Sequence, residues 1–359
     1  MRYGRGSISP DTIKKMLIIN LGGIGDILLS VPALRALRGR YADASISLLV
    51  VGRVYEAAKG ISYIDEIFTL DIPPTFGGIL ADLRTLSRLK ARRFDLAVNM
   101  RTLVSAPSAL KMKILLDIIK PRIRAGRDTA GRGGFFDVKI EETDLGDKYE
   151  MEYDIDTARA LGAETADRSL NFDIAEGDMA RVRAFLKGGG ISSDEVIVAV
   201  NLGGRPSHKW PVENFIKTIK GINKRAKCKF VITGEGRDRV IADEIEKKSG
   251  VKILNTAGSM DLKSLGALIK MAGLFISNDT GPMHIAAIMK TPMVAIFGPG
   301  YLKRYDPRNI SDKAVVLRGE APPCAPCNRV RCEKLSCLKK VSTEDVIGAS
   351  LGFLERFKK

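Results

Sequence analysis

The stretch ISNDTGPMHIAAIMKTPMVAIFGPG, Ile276 to Gly300, decides how the chain folds. An apolar strand ends in the polar turn Asn278-Asp279-Thr280-Gly281. A helix begins at about Pro282, and a second apolar run, Met293 to Phe297, follows. Strand, turn, helix and strand in that order build a parallel sheet. Thr280 and Gly281 suit a helix start. Pro282 suits the first turn, where its missing N–H costs nothing. The free N–H groups and positive dipole end of that helix form an anion site, with a phosphate or pyrophosphate as its natural guest. Asp279, Thr280 and His284 crowd the same entry, although an ordinary strand–turn–helix with a capping Thr would read alike. His284 is one of two histidines in 359 residues, and the other, His208, lies in a second glycine-rich stretch, NLGGRPSHKW. Both sit beside glycine turns, which points to chemistry or ligand contact.

The alternation extends outward in both directions. Strands are expected at Met16 to Leu21, Ala44 to Val50, Ile64 to Leu70 and Asp95 to Asn99, with helices at Ile27 to Tyr41 and about Gly77 to Arg93. The stretch Ala125 to Lys148 is rich in glycine and charge and reads as loops and short strands; a helix over Glu152 to Leu161 follows. A second series starts with a helix near Asp178 to Leu186. Its strands are expected at Val196 to Val200, Lys229 to Thr233, Lys252 to Leu254, Leu274 to Ser277 and Met293 to Phe297. A last helix spans about Ser342 to Lys358. Two βα series predict two doubly wound α/β domains, 1–174 and 175–340, with 341–359 as a closing helix. Ligands of such sheets bind outside the carboxyl ends of the strands, where every glycine motif here falls, so the domains are expected to face one cleft.

Composition narrows the class. A 45% hydrophobic fraction is ample for two cores, and no apolar run reaches the roughly 18 residues of a membrane span. The basic N-terminus has no apolar stretch of a signal peptide, so a cytoplasmic location is expected. The net charge is +16, and Arg84 to Arg132 alone holds thirteen Lys or Arg against three Asp or Glu. Such a surface attracts an anionic membrane face or a phosphorylated substrate, or only keeps the protein soluble. No basic–aromatic interleaving or nucleic-acid module accompanies it, which argues against nucleic acid.

Three motifs could carry chemistry. In NLGGIGD, Asn20 to Asp26, the glycine spacing misses the dinucleotide fingerprint, and no acidic residue about twenty positions on is evident beyond Asp43. Asp26 sits at the mouth of the first helix, where it reads equally as a general base or as a helix cap. In NLGGRPSHKWP, Gly203 and Gly204 are flanked by Arg205 and Lys209, which suits a diphosphate, and the loop TGEGRDR holds Asp238, a candidate ribose or basic-group contact. The third motif is Cys324, Cys327, Cys332 and Cys337. Clustered thiols in a reducing compartment favour a structural zinc, with an iron–sulfur cluster or free thiols as alternatives. Cys228 lies on a strand and reads as core.

Together, NLGGIGDILLSVPALRALR, NLGGRPSHKWP, TGEGRDR and SNDTGPMHIAAIMKTPMVAIFGP resemble glycosyltransferase family 9, the ADP-heptose:lipopolysaccharide heptosyltransferases, over nearly the whole chain. The resemblance implies a GT-B architecture, with an N-terminal acceptor domain and a C-terminal nucleotide-sugar domain. It also implies an inverting transfer that needs no metal for catalysis. The implied substrates are ADP-heptose or a similar nucleotide sugar and a phosphorylated lipid A-core acceptor, met at the cytoplasmic face of the membrane. By resemblance Asp26 is the base, Lys209 a donor-phosphate ligand, and Asp238, Asp279, Thr280, Gly281 and His284 donor contacts; Gly25, Arg101 and Arg127 are weaker acceptor candidates. The cysteine cluster resembles that of many members. The stretch near Tyr149 departs from the pattern, because the His that many members carry there is absent. The alternatives are a transferase of another nucleotide sugar, a nicotinamide-dependent oxidoreductase and a non-enzymatic binding protein.

Overall fold

The computed structural model describes residues 8–71, 78–143, 146–320, 322–327 and 329–357. The chain divides into two compact units, Met1–Leu170 and Asn171–Lys359.

The first unit runs β1 (Lys15–Ile19), α1 (Ile24–Leu29), α2 (Val31–Arg40), β2 (Ser45–Val51), α3 (Tyr55–Ala58), β3 (Glu66–Leu70), α4 (Gly78–Arg92), β4 (Leu96–Asn99), α5 (Ala106–Ile119), β5 (Ile123–Thr129), β6 (Val138–Glu142) and α6 (Glu150–Ala160). Its six strands are all parallel, in the order β3-β2-β1-β4-β5-β6. Leu17 and Ile19 of β1 pack with Leu89 of α4 and Met112 and Leu116 of α5. Met16 and Ile18, on the opposite face, are equally buried. That continuous apolar pattern is what a sheet covered on both faces requires. On the far side α2 and α6 pack together, and the Tyr41 hydroxyl donates to the Leu161 carbonyl at 2.7 Å.

The second unit repeats the plan: α7 (Glu176–Gly188), β7 (Ile197–Asn201), α8 (Val212–Asn223), β8 (Lys229–Thr233), α9 (Arg239–Ser249), β9 (Ile253–Asn255), α10 (Leu262–Met271), β10 (Leu274–Asn278), α11 (Gly281–Ile288), β11 (Met293–Phe297), α12 (Leu302–Tyr305), β12 (Ala314–Arg318), α13 (Ser336–Lys339) and α14 (Thr343–Leu354). The parallel order is β12-β11-β10-β7-β8-β9. Numbered within the unit this is 6-5-4-1-2-3, the first unit's order read from the other edge. Phe215 and Ile219 of α8 and Val346 and Ile347 of α14 share one core with Val198, Phe230, Ile276 and Val294 of the sheet. Thus α14 belongs to the core of the second unit. Trp210 closes that core, edge-on to Phe215 at 5.2 Å, and its indole N–H donates to the Val341 carbonyl.

The architecture is the expected pair of doubly wound parallel sheets. Several elements depart from or add to the sequence reading. The stretch read as loops and short strands supplies two short strands, β5 and β6, full members of the first sheet; the sequence reading does not include α3, α5, α12, β12 and α13. Strand β5, IRAGRDT, looks polar because it carries Arg127, which lies wholly inside the protein. Gly126 and Gly133 leave room for the Phe136 ring, since a Cβ on Gly126 would lie 2.5 Å from it. Residues Gly77 and Lys358, at the ends of two expected helices, lie outside the described residues. Among the described residues no helix is long and apolar enough to cross a membrane.

Candidate active site

In each sheet the strand order reverses between the first and fourth strands, β1/β4 and β7/β10, and the loops after β1, β7 and β10 carry the glycine motifs. A crevice opens at such a switch point. All four strands run into asparagine. Asn20 accepts from the Gly22 N–H at 3.3 Å, and Asn99 accepts from the Arg101 N–H at 3.1 Å and donates to its carbonyl at 2.7 Å. Asn201 accepts from the Gly203 N–H at 3.2 Å, and Asn278 accepts from the Trp210 N–H at 3.0 Å. Each side chain substitutes for the ladder bonds that end with the strand and so orders its loop.

At the first switch point Asp26 occupies the third position of α1, behind the N-cap Gly23. Its Oδ2 accepts from the Gly23 N–H at 2.6 Å, and Gly22 makes room, since a Cβ there would lie 2.5 Å from the carboxylate. Oδ1 takes the Arg101 guanidinium, delivered from the loop after β4. The carboxylate is thus both a helix cap and an ion-paired group at the crevice, with 12% of its side chain exposed. The motif alone left it without a partner.

Behind Arg101 lies a buried ionic network. Glu150, at the start of α6, is 3.6 Å from Arg101 and 3.0 Å from Arg127. Arg127 also pairs with Asp154, one turn further along α6. The Thr102 hydroxyl donates to Glu142 at 2.8 Å. Burial pushes the Asp154 carboxyl up to about 8, against the pull of the Arg127 guanidinium. The network corrects the expectation that Arg127 binds an acceptor: its side chain has no exposure and holds β5 to α6. Gly25 is likewise buried, in the first turn of α1. Arg101, with 24% of its side chain exposed, is the acceptor candidate that still meets solvent.

At the second switch point the loop after β7 is sewn to the loop after β10. Asn201 donates to Ser277 and Thr280 at 3.0 Å each, and Asn278 donates to the Gly203 carbonyl at 3.2 Å. Gly204 has φ +128 and lies under Thr280, whose methyl would be 2.7 Å from a Cβ at that position. Thr280 is the N-cap of α11, with Gly281 its first residue and His284 buried one turn on. Gly300, after β11, backs onto the Asp279 carboxylate and lies near His208 Nε2, so three loops converge here. His208 is buried, its ring 2.9 Å from the Ser207 hydroxyl. Burial first and the Arg205 charge second lower its pKa to about 4, so the imidazole is neutral at pH 7. Arg205 itself is exposed at the rim.

Lys209 is paired with Asp238, which is thus a basic-group contact, one of the two roles the sequence allowed. That carboxylate has no exposure; Oδ1 holds the Lys209 ammonium and Oδ2 accepts from the Glu235 N–H at 2.9 Å. Asp238 therefore reaches a ligand only through Lys209, which keeps 19% of its side chain exposed. The arrangement repeats that of Asp26: a carboxylate caps a glycine loop and holds one cation.

The four cysteines differ in burial. Cys337 is buried in the core of the second unit, Cys327 and Cys332 are half-buried and Cys324 is exposed. Burial raises the Cys337 thiol pKa, and the neighbouring Cys332 and Cys324 push it the same way. Among the described residues no three His, Cys, Asp or Glu form a metal-holding group, so the expected four-thiolate zinc site is not the arrangement observed. Cys228 is half-buried, with its thiol raised to about 11 by burial.

Sequence reading missed Glu150, because no local pattern marks a carboxylate that will be buried under two distant arginines, one from the loop after β4 and one from β5. It also passed over the asparagines, although their recurrence at strand ends was a usable signal.

A sequence profile of glycosyltransferase family 9 (heptosyltransferase) matches residues 83–337. Lipopolysaccharide heptosyltransferase 3 of Escherichia coli is 25% identical over 281 residues, 76% of this chain and 79% of its own. Lipooligosaccharide heptosyltransferase 2 of Campylobacter jejuni is 24% identical over 348 residues, covering 92% and 96%. The structure of Escherichia coli ADP-heptose lipopolysaccharide heptosyltransferase II superposes with a TM-score of 0.71 at 20% identity, covering 96% of this chain and all of that one.

Proposed function

The chain belongs to glycosyltransferase family 9, and from that premise we propose that it moves a heptose from ADP-heptose to a hydroxyl of a lipopolysaccharide core acceptor. The oxidoreductase and the non-enzymatic alternatives fall away with the family. In this reading the first unit binds the acceptor and the second the nucleotide sugar, and the acceptor's lipid brings the enzyme to the cytoplasmic face of the membrane.

The reaction is an inverting displacement. The acceptor oxygen attacks the sugar C1 as the bond from C1 to the diphosphate breaks. The hydroxyl proton passes to a base, and the bonding pair leaves with ADP. Asp26 is that base. Gly23 and Arg101 each hold one carboxylate oxygen, and the acceptor hydroxyl donates to the same carboxylate as it attacks. The two fixed contacts aim the carboxylate, so no reorganisation is needed at the moment of transfer. The leaving diphosphate gains charge, which Lys209 and the N–H groups at Thr280 and Gly281 stabilise. Asp279, His284, Gly203, Gly204 and Arg205 complete the donor site, and the neutral His208 gives it a shaped, uncharged wall.

The observation that carries the reading is the Asp26–Arg101 pair at the first switch point. Thermal-shift measurements with ADP-, UDP- and GDP-sugars test it. A ligand at a hundred times its Kd stabilises the fold by about 2.7 kcal/mol. The ADP-sugar should give the largest shift, and a larger shift with UDP- or GDP-sugars contradicts the donor assignment.

A further inference from the structure

Helices α4 and α5 form the outer layer over one face of the first sheet. The inner side of α5 is spent on the core through Ala109, Met112, Leu116 and Ile119. Its outer side should then be polar. Instead Leu110, Ile114 and Ile118, four residues apart and so on one face, are 58%, 49% and 37% exposed. On α4, Ile79, Leu80 and Leu83 stand out in the same way, Leu80 being 65% exposed. Among the described residues, seven of the twelve exposed large apolar side chains fall between Ile79 and Ile118. Scattered exposed leucines need no explanation, but a patch of this kind marks an interaction surface.

Its surroundings say what covers it. Arg84, Arg88, Lys90 and Arg92 on α4 and Lys111, Lys113 and Lys120 around α5 are exposed beside the apolar side chains, against Asp82 and Asp117 on the same helices. Arg88 and Arg92 share Glu66, and Lys113 shares Asp117 with Arg124, so cations outnumber their partners. A second copy of this chain would bring the same cationic excess against itself. A bilayer leaflet rich in anionic lipid fits both features: acyl chains take the Leu and Ile side chains, and headgroup phosphates take the Lys and Arg ends.

We infer that the outer face of α4 and α5 inserts shallowly into an anionic lipid surface, with Leu80, Leu83, Leu110 and Ile114 entering the acyl boundary. The inference rests on the proposed reading of a lipid-borne acceptor, which must be met at such a surface. It adds that apolar insertion, beyond charge, holds the enzyme there.

The test uses the full chain with vesicles of phosphatidylcholine, with and without phosphatidylglycerol. Wild type should partition onto the anionic vesicles alone, less as salt rises. Leu110→Ser/Ile114→Ser and Leu80→Ser/Leu83→Ser should each bind about tenfold or more weakly, with unchanged melting because the side chains are exposed. Leu110→Trp adds an exposed reporter to a chain whose one tryptophan is buried, and its emission should shift to the blue on anionic vesicles. Equal binding by wild type and the serine variants, or no blue shift, overturns insertion. So does a dimer in sedimentation that the serine variants abolish, because a second copy then covers the face. Transfer to a deacylated acceptor separates the two claims. If it persists while vesicle binding fails, the surface assignment is wrong and the proposed function stands. If vesicle binding is intact with no transfer from any nucleotide sugar, the proposed function is wrong.

Discussion

Replacing Asp238 by Asn tests whether the donor site rests on one buried charge. The native carboxylate serves two donors, the Lys209 ammonium and the Glu235 N–H, with no exposure to water. Asparagine has one oxygen for those two donors and turns an N–H₂ group toward the other. Breaking a buried pair costs about 3–5 kcal/mol when the stranded charge stays buried. Lys209 is 19% exposed and can turn toward solvent. The cost therefore falls toward that of one unsatisfied buried group, about 1–3 kcal/mol. At about 2–4 °C per kcal/mol for a unit of this size, a loss of about 2 kcal/mol lowers Tm by about 4–8 °C. Lys209 also loses its aim, and a charge-assisted phosphate contact of about 1.5–3 kcal/mol corresponds to an affinity loss of about 10- to 150-fold. Calorimetric titration with ADP against Asp238→Asn, Lys209→Ala and the double variant separates the effects. The double variant should recover part of the lost stability and none of the affinity. A lowered Tm in Asp238→Asn with wild-type ADP affinity would refute the reasoning, because the pair would then be structural alone.

Three further outcomes are expected. Asp26→Asn should lower the transfer rate by about 10²–10⁴-fold while ADP titration gives a wild-type Kd; more than about a tenth of wild-type turnover removes Asp26 from the base role. Gly204→Val should disrupt the donor loop, since φ +128 disfavours a side chain and the Thr280 methyl already fills the space; weaker ADP binding is the readout, and unchanged binding counts against this loop as part of the site. His208 should make the second unit acid-sensitive. Its folded pKa is lowered to about 4 from 6.5, so the unfolded chain takes up a proton that the folded one refuses. That stability is present above pH 6.5 and is lost as pH falls toward 4, by up to about 3 kcal/mol. Denaturant titrations at pH 7 and pH 4 should show a smaller loss for His208→Gln than for wild type, and parallel losses contradict the assignment.

Most of the fold was legible because parallel strands buried on both faces leave short unbroken apolar runs, as in Met16 to Ile19 and Leu274 to Ser277. Where a strand carries a buried ion network the signal weakens, and the stretch holding β5 therefore reads only as loops and short strands. The turns were legible for a related reason: Gly22, Gly204 and Thr280 sit where only small or capping residues fit. The partners of those turns were not. Arg101 lies 75 positions from Asp26, and Asp238 lies 29 from Lys209. Nothing local marks which cation a buried carboxylate will hold.

The central claim is the transfer itself. The enzyme should be incubated with ADP-heptose and a lipopolysaccharide acceptor lacking its outer core sugars, and both ADP release and product mass followed, with Asp26→Asn alongside. The account predicts one ADP released per heptosyl unit gained by the acceptor, and near-complete loss of both in the variant. Release of ADP without a heavier acceptor, or faster transfer from a UDP- or GDP-sugar, would contradict it.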